Sequence, residues 1–545
     1  MPLKQKIDVF IQGHVRRVLT HLDRDPDSPS YGCFDRHYWH YNARDYSSSI
    51  LQQSLFVLEA IRKGEVSLPI APDEAALLCQ ATVRGLTRQI DSRGGVDEYY
   101  PHEHSYVAGA FSLLAVARVL LDWQEREPAL LEGVDWDALQ RLTSHMLERR
   151  EHRHPESSSF APPACQFAAA LAALHVASRL DRLRVPESLL QQYLARLLQA
   201  QHDEGWFDEY GGPDFGYLSV TLDALADIHQ VTGAPEVQAS LDRAVAFLCE
   251  VIGPDGAIPF ELGCRNTEYF YPFGLVYAAR TNRLAAWLVE VLYAEVDQPT
   301  HFLWSVDDRY LCHCTMASVV RARPLLEAMR DSEPPRHPPE TWLPGAGLWI
   351  RRDSEKEWVT CIAAKKGGLI RVARRGAPPL VSRGWRVRNA GKVWTNNWWS
   401  SDWKLEKLSD GVRISGTCHR VAYDLPTTWR HAGLRLLAWL FRDRIKPALK
   451  KILILRSGRS KGPKVERTVE IQDQTLRVLD RFVAQGTVEA KPAPRRNLRY
   501  VPSANSFLDE EWSALPLEEG SHRGRDILKI ERSVTCGPHR GSGGT

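Results

Sequence analysis

The chain lacks the short motifs that define several common functional classes. Its 545 residues contain no phosphate-binding Walker sequence and no dinucleotide-binding fingerprint, so nucleotide-driven and dinucleotide chemistry is not expected. The ten cysteines include no Cys-x-x-Cys pair, which predicts reduced, buried thiols. No nucleic-acid reader motif is present, and nucleic acid is not an expected partner. The sequence predicts no cofactor.

Long apolar runs are absent as well. No stretch of roughly 18 uncharged apolar residues occurs, so no transmembrane helix is predicted. The first residues lack the uninterrupted apolar core and small-residue cleavage site of a secretory signal. We therefore expect a cytoplasmic protein, with peripheral contact to the inner membrane as an additional hypothesis.

Length and charge both indicate two parts. A chain of 545 residues exceeds what one hydrophobic core normally organises. The net charge of +3 hides an asymmetry, because residues 331–545 hold about 40 Lys and Arg against about 23 Asp and Glu. A basic second part suits an anionic polymer, a membrane surface or the acidic first part as its partner.

Helical periodicity dominates residues 48–330, and strand patterns are nearly absent there. Three connections align, because each ends a helix, turns at a glycine, offers an acidic residue and enters the next helix. Their glycines are Gly95, Gly205 and Gly256, and these spacings match two units and one unit of a helix pair. Repeated helix pairs need neighbours to bury their apolar faces. We expect about six pairs closed into an α/α toroid over residues 1–333.

The pattern changes after a Pro-rich boundary near residues 334–344. Short runs that alternate apolar and polar residues follow, which is typical of antiparallel strands. The predicted fold class is thus multidomain α and β, with an N-terminal toroid and a C-terminal antiparallel β-sandwich at residues 345–535.

One segment near residues 427–451 interrupts the strands. At helical spacing its basic residues share a stripe, and apolar residues occupy most of the remainder. This composition is typical of an interfacial helix in contact with membrane lipid, and the alternative is a helix packed on the sandwich with a solvated basic edge. The stripe consists of His431, Arg435, Arg442, Lys446 and Lys450.

The turn LQAQHDEGWF, which contains Trp206, resembles the Gln and Gly-Trp turn repeated in terpene cyclases and related α/α toroids. A toroid followed by a sandwich resembles polysaccharide lyases, especially heparinase II/III-like proteins. The resemblance implies a carbohydrate-active protein that acts on an anionic or lipid-linked polysaccharide by β-elimination. Known toroid lyases are similar in using a set of Asn, His, Tyr and Arg.

The aligned connections supply the candidate site, because alternate turns of a toroid converge on one rim. β-Elimination needs a group that neutralises the sugar carboxylate, a base and an acid, and Asn, Arg, His and Tyr suit these tasks. The candidate catalytic residues are His104, Arg265, Asn266, Tyr269 and Tyr271. The candidate substrate-binding residues of the connections are Glu98, His102, Glu103, Trp206, Glu209, Tyr210, Asp214 and Glu261.

Two aromatic segments are further candidates. Asp35, Arg36 and Trp39 belong to an N-terminal cluster that suits either sugar stacking or a segment capping the toroid mouth. A second stretch suits a glycan platform, a sandwich core or a seam between the two parts. It contains Trp385, Trp394, Asn396, Asn397, Trp398, Trp399 and Trp403.

Other interpretations of the same residues stay open. A glycoside hydrolase would pair Glu98 or Glu103 with Asp214 or Glu261. In a non-catalytic scaffold or glycan-binding component of bacterial exopolysaccharide biosynthesis, acidic residues at the turns would instead satisfy backbone N–H groups.

A metal site is a minor alternative. Cys264, Cys312 and His313 are faintly similar to the zinc ligands of lanthionine cyclases, another toroid family. Their spacing is not that of a zinc finger or of a His-Glu-x-x-His site, and the expected metal content is none.

Overall fold

A computed structural model describes residues 1–34, 49–98, 102–149, 162–253, 255–353, 358–421, 427–441, 462–472, 475–494 and 506–535. The candidates Asp35, Arg36 and Trp39 lie outside these residues. The same is true of residues 442–451, the second half of the insertion.

In the described part of the chain, six outer helices alternate with six inner helices. The outer helices are Leu3–Leu19, Pro72–Gln89, Trp136–Leu147, Glu187–Gln199, Pro235–Val251 and Arg283–Leu292. The inner helices are Leu55–Arg62, Tyr106–Arg126, Ala164–Ala177, Phe215–Thr232, Phe273–Ala279 and Met316–Ala322. Inner helices are apolar on almost every side because they are covered on both sides, whereas outer helices bury one stripe. The helix Tyr106–Arg126 is long and apolar enough to span a bilayer, but 83% of its most apolar window is buried in this fold.

The inner helices form a closed ring. Each packs on the next inner helix along the chain, and Met316–Ala322 also packs on Leu55–Arg62. The prediction of a toroid of about six helix pairs is confirmed. Because an outer helix returns the chain after each inner helix, all six inner helices run in the same direction.

We call the rim at the starts of the inner helices the amino-terminal mouth. Ser105 and Asp214 cap two of these helices, since their side chains accept hydrogen bonds from the backbone N–H groups of Ala108 and Tyr217. Residues near the other ends of the inner helices, such as Lys63, surround a separate cavity of about 730 Å³. The aligned connections of the sequence therefore lie at one rim.

Two sheets follow the helices, and the first strand begins at Glu340. The first sheet has the order β1-β2-β3-β4-β5-β13 and is antiparallel except for the pair β5–β13. Its strands are β1 Glu340–Leu343, β2 Leu348–Asp353, β3 Trp358–Ala363, β4 Leu369–Arg374, β5 Ala377–Val381 and β13 Leu515–Pro516. The predicted antiparallel β-sandwich is confirmed.

The second sheet has the order β10-β7-β6-β12-β11-β9-β8, and β14 pairs with β12 beside this path. A register shift between Val483 and Thr487 interrupts the long β12–β14 ladder. The strands are β6 Trp385–Asn389, β7 Lys392–Thr395, β8 Lys404–Lys407, β9 Gly411–Thr417, β10 His419–Arg420, β11 Lys464–Gln472, β12 Thr475–Pro492 and β14 His522–Thr535.

The first sheet is buried on both faces. Leu348 and Ile350 of β2 pack into the core of the toroid, whereas Trp349 between them packs into the core shared by the two sheets. This alternation follows from the two-residue period of a strand. The molecule thus has three layers, with the first sheet between the toroid and the second sheet.

Candidate functional site

A cleft of about 1060 Å³ lies between the amino-terminal mouth and the second sheet. The toroid contributes residues of the second and third aligned connections, which contain Gly205 and Gly256. The β part contributes the segment after β7 and strands β8 to β12. The lining residues are Tyr210, Gly211, Cys264, Arg265, Trp398, Trp399, Ser400, Ser401, Asp402, Trp403, Lys404, Ser415, Gly416, Thr417, His419, Lys464, Val465, Glu466, Arg481 and Val483.

Two partly exposed tryptophans form an aromatic wall of this cleft. The Trp398 ring stacks on His419 with centroids 5.0 Å apart and an interplanar angle of 5°. Trp399 lies against Gly212, where an added Cβ would be 2.4 Å from the indole. Glycine is therefore required for the loop to approach the Trp399 ring this closely.

The other tryptophans of the aromatic segment 385–403 contribute to the hydrophobic core. Trp385, Trp394 and Trp403 are buried in the core between the two sheets, although one edge of Trp403 also reaches the cleft. Asn396 accepts a hydrogen bond from the backbone N–H of Trp385 and donates to the carbonyl of Gly367. The stretch therefore divides between a platform in the cleft and a sandwich core.

The cleft carries an excess of positive charge. Its basic residues are Arg265, Lys404, Lys464 and Arg481, whereas Asp402 and Glu466 are acidic. The starts of the inner helices point their positive dipole ends toward the same mouth, which favours anionic groups there. Burial lowers the pKa of His419 to about 4, so this imidazole is neutral at pH 7.

The second and third connections are bonded directly to each other. The Cys264 thiol donates to the carbonyl of Glu209 at 2.8 Å, and the backbone N–H of Arg265 donates to Asp214 at 2.9 Å. The Arg265 guanidinium donates to the carbonyl of Tyr210 and lies 4.8 Å from its ring centroid. The structure thus brings these sequence candidates together at the rim of the cleft.

Lys366, which follows strand β3, binds the third connection from the side of the β part. Its ammonium donates to the carbonyls of Glu261 and Gly263 and to the Asn266 side-chain oxygen. Asn266 has a φ of 55°, a left-handed conformation that needs support from its surroundings. Burial lowers the pKa of Lys366 to about 8. Sequence reasoning missed this residue.

A stack of tyrosines leads from the cleft into the toroid. Tyr269 stacks on Tyr271 and Tyr310 with centroids 4.6 Å and 5.5 Å apart, and Tyr217 lies between Tyr269 and Tyr210 at about 6 Å from each. Burial raises the pKa of Tyr269 well above its ordinary value, so its phenol is protonated at neutral pH. Tyr310, which is half-buried, was not among the sequence candidates; it precedes a π-helical turn, a feature frequent at functional sites.

A link between the first connection and the tyrosine stack runs through Arg309, whose neighbour Tyr310 belongs to that stack. Glu98 accepts hydrogen bonds from the Ser105 hydroxyl and from the Arg309 guanidinium at 2.7 Å. Glu103 accepts from the backbone N–H of Glu98. Among the described residues that line the cleft, none comes from this connection.

The two histidines of the first connection differ in exposure. His104 is 5% exposed, and its Nε2 lies 2.8 Å from an Asp91 carboxylate oxygen. Its ring packs against Gly95, where a Cβ would approach within 2.6 Å. His102 is exposed and has a φ of 63°.

Several acidic candidates cap helix starts or form ion pairs. Glu209 is fully buried and accepts from the backbone N–H of Cys165 at 2.7 Å, at the start of an inner helix. Burial raises its pKa well above the ordinary value. Glu261 accepts from Arg371 at 3.1 Å. The helix-start interpretation accounts for these contacts of Glu209 and for the capping role of Asp214.

Trp206 lies at the junction of the two parts and does not line the cleft. Its ring stacks on His202 at 4.5 Å, and its Nε1 donates to Glu204 at 2.8 Å. Glu204 also accepts the backbone N–H groups of Gly345 and Ala346. The Gly-Trp turn therefore attaches the toroid to the turn that precedes strand β2.

The described part of the chain contains no group of three or more His, Cys, Asp or Glu side chains arranged to hold a metal. His313 lies 3.0 Å from the carbonyl of Ile50 through Nδ1, and burial lowers its pKa to about 3. Cys264 contacts the carbonyls of Glu209 and Gly212 instead. These contacts assign both side chains a packing role.

The fold and the position of the cleft define the class of architecture: an α/α toroid joined to a β domain, as in polysaccharide lyases. No protein-family model matches the sequence, and a search of curated proteins gives no match. The fold expected from the resemblance to these lyases is confirmed by solved structures.

Two solved structures illustrate this likeness. A xanthan lyase from Paenibacillus is similar with a TM-score of 0.51 and 11% identity, over 89% of this chain and 46% of that one. The chondroitin AC lyase of Streptomyces coelicolor A3, solved in complex with chondroitin sulphate, gives a TM-score of 0.51 and 12% identity, over 90% and 68%. The chain thus spans about half the length of the xanthan lyase. At these identities the likeness shows the fold alone.

Proposed function

We propose that this chain binds an anionic polysaccharide in the cleft between the toroid and the second sheet, and cleaves it by β-elimination. The observation that carries the proposal is the pairing of a tryptophan wall with basic side chains in one open cavity. Aromatic faces suit the apolar faces of sugar rings. Arg265, Lys404, Lys464 and Arg481 suit carboxylate or sulphate groups.

In this proposal the toroid side of the cleft carries out the elimination, because Arg265 lines it and the tyrosine stack extends from Tyr210 in its wall. We assign to Arg265 the neutralisation of a sugar carboxylate, which acidifies the neighbouring C–H. A base takes that proton, a C=C bond forms, the glycosidic C–O bond breaks and the leaving oxygen takes a proton. Protonated phenols of the tyrosine stack suit the last step, and Tyr269 is our candidate for proton transfer.

A specific observation favours a second function, glycan binding without catalysis. His104 is tied to Asp91, and the Asn266 side-chain oxygen is occupied by Lys366. Two members of the expected catalytic set therefore have structural partners. A binding component of exopolysaccharide biosynthesis needs only the aromatic and basic surfaces.

Two measurements separate these functions. Ultraviolet absorbance of the new C=C bond, recorded with uronate-containing polysaccharides, reports elimination, and calorimetric titration with the same polymers reports binding. We expect Tyr269→Phe to abolish product while leaving affinity unchanged. Binding without absorbance across the panel would favour the non-catalytic function, and absence of binding would refute both.

The tryptophan wall has its own test. Gly212→Ala adds a methyl group against the Trp399 ring, so we expect the ring to shift and affinity to fall about tenfold, a loss typical of one displaced aromatic contact. The matched control is Gly433→Ala, where an added Cβ meets no atom within 4 Å. Equal affinity of both variants would contradict the assignment of Trp399 to the binding surface.

A further inference from the structure

One helix of the β part exposes an unusual amount of apolar surface. In the helix Thr428–Phe441, only Ala438 is buried. Trp429 is 84% exposed and Trp439 is 61% exposed. The large apolar side chains exposed on this helix are Trp429, Leu436, Leu437, Trp439, Leu440 and Phe441. Exposed apolar surface of this extent on one short helix marks an interaction site.

The charges of the same helix have one sign. Residues 427–441 contain Arg430, His431 and Arg435 and no acidic residue. The next ten residues of the sequence add five basic residues and one acidic residue. Apolar side chains with tryptophan, combined with basic side chains, complement an anionic lipid surface, where rings enter the interface and cations meet headgroups.

The path of the chain connects the helix with the cleft. The chain leaves the second sheet after β10, which contains the cleft residue His419, and rejoins it at Lys464, the first residue of β11. Both strands border the cleft. A helix held at a bilayer would therefore hold the cleft close to the lipid surface.

We propose that the helix Thr428–Phe441 docks on an anionic lipid bilayer, with Trp429, Trp439 and Leu440 inserted among the headgroups. The occupant is the lipid surface because the exposed apolar and basic side chains occur together on one helix that has no acidic residue. This attachment extends the proposed function, since it would hold the cleft near saccharides linked to membrane lipid.

Flotation of the full chain with lipid vesicles tests the proposal. We expect binding to vesicles of equal parts phosphatidylglycerol and phosphatidylcholine, and weak binding to phosphatidylcholine alone. The variant Trp429→Ser with Trp439→Ser and Leu440→Gln should lose at least about tenfold in bound fraction. Arg430→Glu with Arg435→Glu should lose binding to the anionic vesicles selectively.

The control variant replaces an equally exposed leucine that lies outside the helix Thr428–Phe441. Leu77→Gln replaces a leucine that is 56% exposed in an outer helix, compared with 55% for Leu440, and it should float like the wild type. Wild-type protein that stays unbound with both vesicle types would overturn the proposal. Self-association in sedimentation, abolished by the triple variant, would assign the surface to a second copy. Polysaccharide affinity of the variants, measured without lipid, separates this outcome from failure of the cleft proposal.

Discussion

At the scale of single residues, the candidate site depends on side chains that no local pattern identifies. Lys366 belongs to the Lys365-Lys366 turn after β3, and no motif in the sequence marks it as part of a site. The structure buries its ammonium against three oxygen atoms of the third connection. The acceptors lie about 100 residues away in the sequence, so only the packed toroid and sheet bring them together.

Replacing this lysine tests its role. Lys366→Met should lower the free energy of unfolding by about 2–4 kcal/mol, because buried acceptors lose their donor. Lys365→Met is the matched control, since Lys365 is only half-buried and, among the described residues, its ammonium donates to one carbonyl, that of Gly345; we expect a loss of about 1 kcal/mol. Urea unfolding followed by circular dichroism gives both values. Equal losses would contradict the anchoring role of Lys366.

His313 predicts that the folded protein loses stability at acid pH. Its pKa is about 3 in the folded protein, whereas an unfolded histidine has a pKa near 6.5. Between these values the unfolded chain binds a proton that the folded chain does not, so stability falls as pH decreases through this window. At pH 4.5 this one group should reduce the unfolding free energy by about 2–3 kcal/mol relative to pH 7.

The measurement compares the wild type with His313→Gln, which keeps a side-chain amide near the carbonyl of Ile50 and does not titrate. Urea unfolding at pH 7 and pH 4.5 should show a smaller acid loss in the variant, by the stated amount. Parallel losses in the two proteins would mean that His313 gains its proton while folded.

At the scale of helices and strands, much of the architecture could be predicted. The turning glycines occur at intervals of a helix pair, and that repeat predicts stacked pairs because each pair needs neighbours to bury its apolar faces. Closure into a ring is expected from the number of about six pairs. The alternation of apolar and polar residues predicts the strands, though it does not show that the first sheet is buried on both faces. The link through Arg309 and Tyr310 could not be predicted, because these residues precede a π-helical turn outside the repeat.

Glu209, a candidate substrate-binding residue, has a structural role as the cap of an inner helix. Its carboxyl caps the inner helix Ala164–Ala177, and burial raises its pKa well above the ordinary value, which favours the neutral form. Glu209→Gln should therefore keep the unfolding free energy within about 1 kcal/mol, whereas Glu209→Ala should lose about 1–2 kcal/mol with the cap. Thermal and urea unfolding provide the comparison. Equal stability losses in Glu209→Gln and Glu209→Ala would contradict this capping role.

At the scale of the whole molecule, the toroid and the first sheet share one hydrophobic core. Leu348, Ile350 and Cys361 of the sheet belong to the same buried cluster as the inner helices, and Glu204 and Lys366 link the two parts by hydrogen bonds. The cleft is formed by both parts, so its shape depends on this packing.

A shared core predicts that the two parts unfold together. Differential scanning calorimetry of the full chain should give one cooperative transition, because loss of the first sheet would expose the apolar surface of the toroid that it covers. A fragment of residues 1–333 should then bind more of the dye ANS than the full chain does, and it should self-associate more strongly. Two separated transitions, together with a monomeric fragment that does not bind the dye, would show that the toroid is stable alone. The cleft would then lie between two independently folded units, and ligand affinity would depend on how they are docked.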